Sequence, residues 1–224
     1  MKLIDKIKET NFLREEREFT PGSTCSIVGS SGNLLDNEHG TDIDNSDDVI
    51  RFNGAKTASF ERHAGSRTTF RLMNCHSILN IENSAYFAQQ KARHPQLDRE
   101  LLYKIEGEII IFKTDPKWQL WQKAHILDQV RQKNEVYFIH KDFYELGNKL
   151  NAGKEATNGF IGLLMALRFY SKIDCYGFSF YDPGIKKHYF DEINSYNMLA
   201  GHDFDNEKKI FSLLQKNGII NIHE

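Results

Sequence analysis

Cysteine, proline and net charge are all scarce in this chain. Only three cysteines occur in 224 residues, Cys25, Cys75 and Cys175, with no CxxC spacing. That excludes a disulfide scaffold and gives no structural zinc pattern. It leaves reduced thiols and an expected cytoplasmic setting. A formal net charge of −2 gives no electrostatic reason for a nucleic-acid partner. No apolar run approaches the roughly 18 residues that a membrane span requires. The start, MKLIDKIKETNFLREEREF, is too charged for a secretion leader. Leu3, Ile4 and Ile7 form a short apolar stripe there, read as a helix packing on its own domain, with peripheral membrane contact left open. No internal repeat, GxGxxG or P-loop lysine is present.

Short runs rich in Ile, Val, Phe and Tyr alternate with helix-period segments. Strands are predicted at 24–29, 48–53, 68–73, 108–113, 135–140, 173–178 and 218–222. Helices are predicted at 2–16, 77–91, 97–105, 117–132, 141–150, 159–171 and 205–216, with 159–171 apolar enough to be a core helix. This alternation implies one α/β domain over 1–224, with residues 1–20 packing on or flanking it. The sheet is expected to be mainly parallel, with about seven strands flanked by helices. Ligands of such sheets bind at the carboxyl ends of the strands, where Gly29–Asn33, Asn53 and Gly177 fall. The aromatic cluster Trp118, Trp121, Phe138, Phe143 and Tyr144 is read as core packing.

Four groups of residues carry candidate chemistry. An apolar run, Cys25-Ser26-Ile27-Val28, enters the turn Gly29-Ser30-Ser31-Gly32-Asn33-Leu34, where small residues let backbone N–H groups approach a phosphate. Gly40, Ile43-Asp44, Val49-Ile50-Arg51-Phe52-Asn53 and Gly65-Ser66-Arg67-Thr68-Thr69 follow it. The second group is Ala156-Thr157-Asn158-Gly159 with Ile173-Asp174-Cys175-Tyr176-Gly177-Phe178. It is either an anion site at a helix N-terminus or an ordinary N-cap through Thr157 or Asn158. The third is His188-Tyr189-Phe190-Asp191, and the fourth runs from His202 to Glu207. Asp42-Ile43-Asp44 has the DxD spacing of metal-dependent transferases, but three residues in a chain with 31 acidic side chains arise easily by chance.

Taken in order, these groups resemble the large, small, third and very small sialylmotifs of the animal-type sialyltransferases, glycosyltransferase family 29. The resemblance covers about 25–71 and 156–207. Ser30 stands where the family has Asn, Ala156 departs from its Pro, and Tyr170 occupies the position of the second motif cysteine, so the family's disulfide with Cys25 is not expected.

The resemblance implies a Rossmann-like, GT-A-like nucleotide-binding domain and an enzyme that uses a CMP-sugar donor. The implied reaction moves sialic acid from CMP-sialic acid to a hydroxyl of a glycan or glycolipid acceptor, with inversion and without metal or other cofactor. His202 is implied as the base, with Glu207 orienting it, and His188 as the group on the leaving phosphate. Gly29, Ser30, Ser31, Asn33, Asn53, Thr157, Asn158, Gly159 and Gly177 are implied donor contacts. A CMP-Kdo donor, a silent CMP-binding module and a metal-dependent transferase using Asp42 and Asp44 are the alternatives.

Overall fold

The computed structural model describes residues 2–14, 19–74, 105–113, 126–190 and 201–223. Its centre is one seven-stranded sheet, every pairing parallel. The strands are β1 (Thr24–Val28), β2 (Asp48–Phe52), β3 (Phe70–Asn74), β4 (Ile109–Lys113), β5 (Glu135–Phe138), β6 (Lys172–Tyr176) and β7 (Asn221–His223). The spatial order is β5-β4-β3-β2-β1-β6-β7. Strand order therefore reverses between β1 and β6, where an open α/β sheet leaves a crevice at its carboxyl edge.

Alternation along the strands builds a core on each face. Cys25, Ile27, Ile50, Phe52, Leu72, Ile173 and Cys175 join one apolar cluster, while Val28, Val49 and Tyr176 join another. The helices are α1 (Lys2–Glu9), α2 (Gly40–Asp44), α3 (Glu61–Ala64), α4 (Ile126–Arg131), α5 (Lys141–Leu150), α6 (Asn158–Phe169) and α7 (Phe204–Lys216). The apolar α6 is the expected core helix, buried from Phe160 through Leu167. Phe143 and Tyr144 on α5 and Phe138 on β5 are buried, as the core reading requires. Trp118, Trp121, the 77–91 helix and nearly all of the 97–105 helix lie outside the described residues.

α1 stops at Glu9 rather than running to 16. Residues 10–14 are not helical, and Leu13 bridges Ile139 antiparallel just past the end of β5. Sheet pairing there overrides the helical periodicity. Ile7 is fully buried, and Arg168 of α6 donates to the Ile7 and Thr10 carbonyls at 2.8 and 2.9 Å. The apolar stripe thus packs on its own domain. Short α2 and α3 and a 3-10 turn at Gly32–Asp36 have no counterpart among the predicted elements, because each is too short to set up a period.

Cys25 and Cys175 are free and buried on adjacent strands, and burial pushes both thiols up, so neither is a reactive thiolate. Tyr170, in place of a motif cysteine, donates its buried hydroxyl to Asp48 at 3.0 Å. Arg51 is wholly buried. It donates to the Arg67 and Ala64 carbonyls and to Thr68 Oγ1. Arg51 is therefore a brace that holds the 64–68 loop against β2.

Candidate functional site

A cavity opens at the carboxyl edge where β1, β2 and β6 end. Its lining includes Gly29, Ser30, Ser31, Asn53, Thr157, Asn158, Gly159, Gly177, His188 and Glu207. Nearly all the predicted donor contacts meet there. Asn33 is the exception: it lies on the 3-10 turn that begins at Gly32 and does not line the cavity.

Gly29 and Gly177 make the turns after β1 and β6 possible. A Cβ on Gly29 would stand 2.2 Å from the Gly177 carbonyl oxygen, and Gly177 has φ +67°. The Gly29 N–H donates to Tyr176 O and the Ser31 N–H to Gly177 O. The Ser30 N–H has no partner among the described residues, which suits a ligand anion.

Asn53 sits at φ +46°, a conformation that Asn tolerates better than most residues. Its Oδ1 accepts from the Asn74 N–H and from Asn158 Nδ2, both at 2.9 Å. A backbone donor fixes which end of the amide is oxygen, so Asn53 Nδ2 remains as the donor for a ligand. Arg71 buttresses this turn. It pairs with Glu108 through two nitrogens and donates to the Asn53 and Ala55 carbonyls at 2.9 and 3.0 Å.

Thr157 takes the N-cap reading. Its Oγ1 accepts from the Phe160 N–H at 3.0 Å and donates to Glu207 Oε2 at 2.7 Å. Asn158 and Gly159 retain unpartnered N–H groups among the described residues, at the positive end of α6. Ser31 Oγ, Asn33 Oδ1 and Asn158 Oδ1 are buried without partners. Ser31 and Asn158 line the cavity, where a polar ligand can supply missing partners.

Glu207 does not orient His202. Its carboxylate accepts from the Thr157 N–H at 2.9 Å, Thr157 Oγ1 and Asn151 Nδ2 at 3.1 Å, so it ties α7 to the start of α6. Burial pushes its pKa up to about 7, against the opposing bonds from Thr157 and the charge of Lys113. His202 is instead held by backbone: its Nδ1 lies 2.6 Å from the Glu155 carbonyl oxygen. Only a protonated nitrogen suits that contact, which leaves Nε2 as the basic atom. Burial lowers the His202 pKa from its ordinary value. The Glu155 carbonyl opposes this, and the Lys113 charge adds to it. His202 is not itself part of the cavity lining; its imidazole lies 5.6 Å, centre to centre, from the ring of Phe204, which is. His188 lines the cavity and stacks on Phe190 at 5.0 Å and 10°.

Lys187, Phe180 and Tyr181 also line the cavity and were not among the predicted site residues. Lys187 was visible beside the third block. Phe180 and Tyr181, at φ +51° and +61°, are non-glycine residues in left-handed backbone, which no local sequence signal announces.

The DxD pair does not meet at this cavity. Asp44 accepts from the Ser66 and Arg67 N–H groups and from Ser66 Oγ. Although burial opposes it, these bonds hold its carboxyl below the usual range. Asp42 lines a separate cavity with Asp174, Tyr176 and His223.

The family model for glycosyltransferase family 29 (sialyltransferase) matches residues 1–219. This chain belongs to glycosyltransferase family 29. The family 29 chain is 28% identical over 207 residues to mouse CMP-N-acetylneuraminate-beta-galactosamide-alpha-2,3-sialyltransferase 1, covering 85% of this chain and 56% of that protein. It is also 28% identical to the Arabidopsis thaliana sialyltransferase-like protein 2, over 89% of this chain and 39% of the relative. The chain thus spans about half the length, or less, of these relatives. A mammalian sialyltransferase structure in complex with Gal-beta-1-3GalNAc-ortho-nitrophenol shares the fold, with TM-score 0.63 and 23% identity over 90% of this chain and 69% of that one. The Campylobacter jejuni sialyltransferase CstII in complex with cytidine-5'-monophosphate matches at TM-score 0.50 and 18% identity, over 92% of this chain and 80% of that one. The Rossmann-like, GT-A-like architecture is therefore shared across the group.

Proposed function

We propose that this chain transfers sialic acid from CMP-sialic acid to a glycan hydroxyl, with inversion, without metal, and with His202 as general base. The single observation that carries the reading is the pairing of two halves of one site. Unpartnered N–H groups at Ser30, Asn158 and Gly159 and the outward Asn53 amide form an anion cradle. A histidine with its basic Nε2 left available packs against Phe204 of the same cavity. Family membership supplies the donor class.

In this mechanism the cradle holds the phosphate of CMP at the positive end of α6. The acceptor oxygen attacks the anomeric carbon as Nε2 of His202 takes its proton. The bond from that carbon to the phosphate oxygen breaks, and CMP leaves with the electron pair. His188 and Lys187 flank the cavity where the leaving charge grows and stabilise it. Burial keeps His202 neutral, the form that accepts a proton. A single phosphate carries less charge than a diphosphate, so these groups suffice without a cation, and Asp44 is committed to the 66–67 loop.

The test is incubation of purified protein with CMP-sialic acid and a galactose-terminated acceptor in EDTA, with mass spectrometry of the product. Addition of one sialic acid supports the reading. Transfer only from CMP-Kdo would keep the mechanism and replace the sugar. CMP binding with neither transfer nor donor hydrolysis would mark a silent module.

A further inference from the structure

Lys113, at the end of β4, is a buried charge that the proposed mechanism leaves unused. Its side chain is about 4% exposed, yet Lys113 is not part of the cavity lining. Burying an ammonium is unfavourable unless its hydrogens are all used. Lys113 Nζ donates to the Ala156 carbonyl at 2.6 Å and lies 3.0 Å from Glu155 Oε1. It therefore grips the backbone that holds His202. The Glu155 carbonyl takes His202 Nδ1 and Asn151 Nδ2, and the Glu155 N–H donates to the Gly201 carbonyl at 3.1 Å.

We propose that Lys113 is the positioning residue of His202: it clamps the Glu155–Ala156 backbone that fixes the imidazole and places a positive charge behind the ring. The inference rests on the reading of His202 as the base. Among the described residues, the charged groups around the imidazole are Lys113 from β4, Glu155 from the loop before α6, and Asp203 and Glu207 from the start of α7. Asp203 is occupied in capping α7 through the Asn206 N–H, and Glu207 in holding Thr157. Lys113 and Glu155 are thus the pair whose opposite charges bear on the ring. Lys113 disfavours the imidazolium and Glu155 favours it. Removing each must move His202 in opposite directions, which a merely structural role does not predict.

The experiment is an NMR titration of the full chain carrying ¹⁵N-labelled histidine, with the His202 signal assigned by its loss in His202→Gln. Lys113→Met is expected to raise the His202 midpoint by roughly half to one pH unit, and Glu155→Gln to lower it by less. Steady-state kinetics of Lys113→Met should show the acid limb of kcat/KM moving up with the midpoint. In the same variant kcat should fall by about tenfold while the donor KM changes by less than about threefold. Lys113→Arg, which keeps the charge, should restore most of the midpoint. Unchanged midpoint and profile in folded Lys113→Met would overturn the proposal. If that variant fails to fold, Glu155→Gln decides, and a midpoint that rises or stays put overturns it. If the midpoints shift as stated while wild-type protein transfers no sugar, the link between Lys113 and His202 stands and the functional reading fails.

Discussion

The donor flank of the cavity and the base flank behind it are built from different materials. The donor flank is neutral: glycine turns after β1 and β6, the Asn53 amide after β2, and backbone N–H groups at the start of α6. The base flank is charged and assembled from distant segments: Lys113, Glu155, His202 and Glu207. The donor flank is fixed by steric fit and by backbone bonds that do not titrate. The base flank is held by charged groups, and burial lowers the His202 pKa and raises that of Glu207 to about 7. Substitutions on the first should alter binding, and substitutions on the second should alter rate and pH dependence.

The largest expected effect is on the base flank. His202→Ala should lower transfer by about 10²–10⁴-fold while CMP affinity changes by no more than a few-fold, since a base acts on the barrier and not on the nucleotide. Full activity in that variant would remove His202 from the mechanism and dissolve the distinction between the flanks.

Asn53→Asp is the matching change on the donor flank. The retained oxygen still accepts from Asn74 and Asn158, so thermal stability should move little. A carboxylate oxygen replaces the donor meant for the phosphate, and calorimetry should show CMP affinity falling by roughly 10–100-fold. Unchanged affinity would assign Asn53 to the turn alone.

The smallest effect concerns Glu207. Its folded pKa, about 7, lies above its ordinary 4.5. Between those values the folded protein holds a proton that the unfolded chain releases. This group's contribution to stability is therefore full below about pH 4.5 and lost as pH rises through about 7. His202, with its lowered pKa, slopes the other way, so wild type and Glu207→Gln must be compared at each pH. The wild-type melting temperature should fall relative to Glu207→Gln from pH 5 to pH 8. Parallel curves would show that Glu207 stays ionised.

These contrasts also explain what the sequence disclosed. The strands and the core helix α6 were legible because doubly buried segments read as apolar runs, and the donor flank was legible because its pieces are small or polar residues at strand ends and at a helix start. The order of the four blocks carried the family. Individual roles were harder to read. Arg51 braces the loop at 64–68, Asp44 holds the N–H groups of Ser66 and Arg67, and Glu207 grips Thr157 rather than His202. Lys113 was invisible, because its partners lie more than forty positions away and nothing local marks a lysine as buried. The same holds for Asn33, whose place depends on a 3-10 turn too short to carry a period.

The most direct test of the central claim is calorimetric titration of the protein with CMP, UDP and GDP, each with and without EDTA. The account predicts selective binding of CMP, unchanged by EDTA. Failure to bind CMP, or a preference for UDP or GDP that EDTA abolishes, would contradict it.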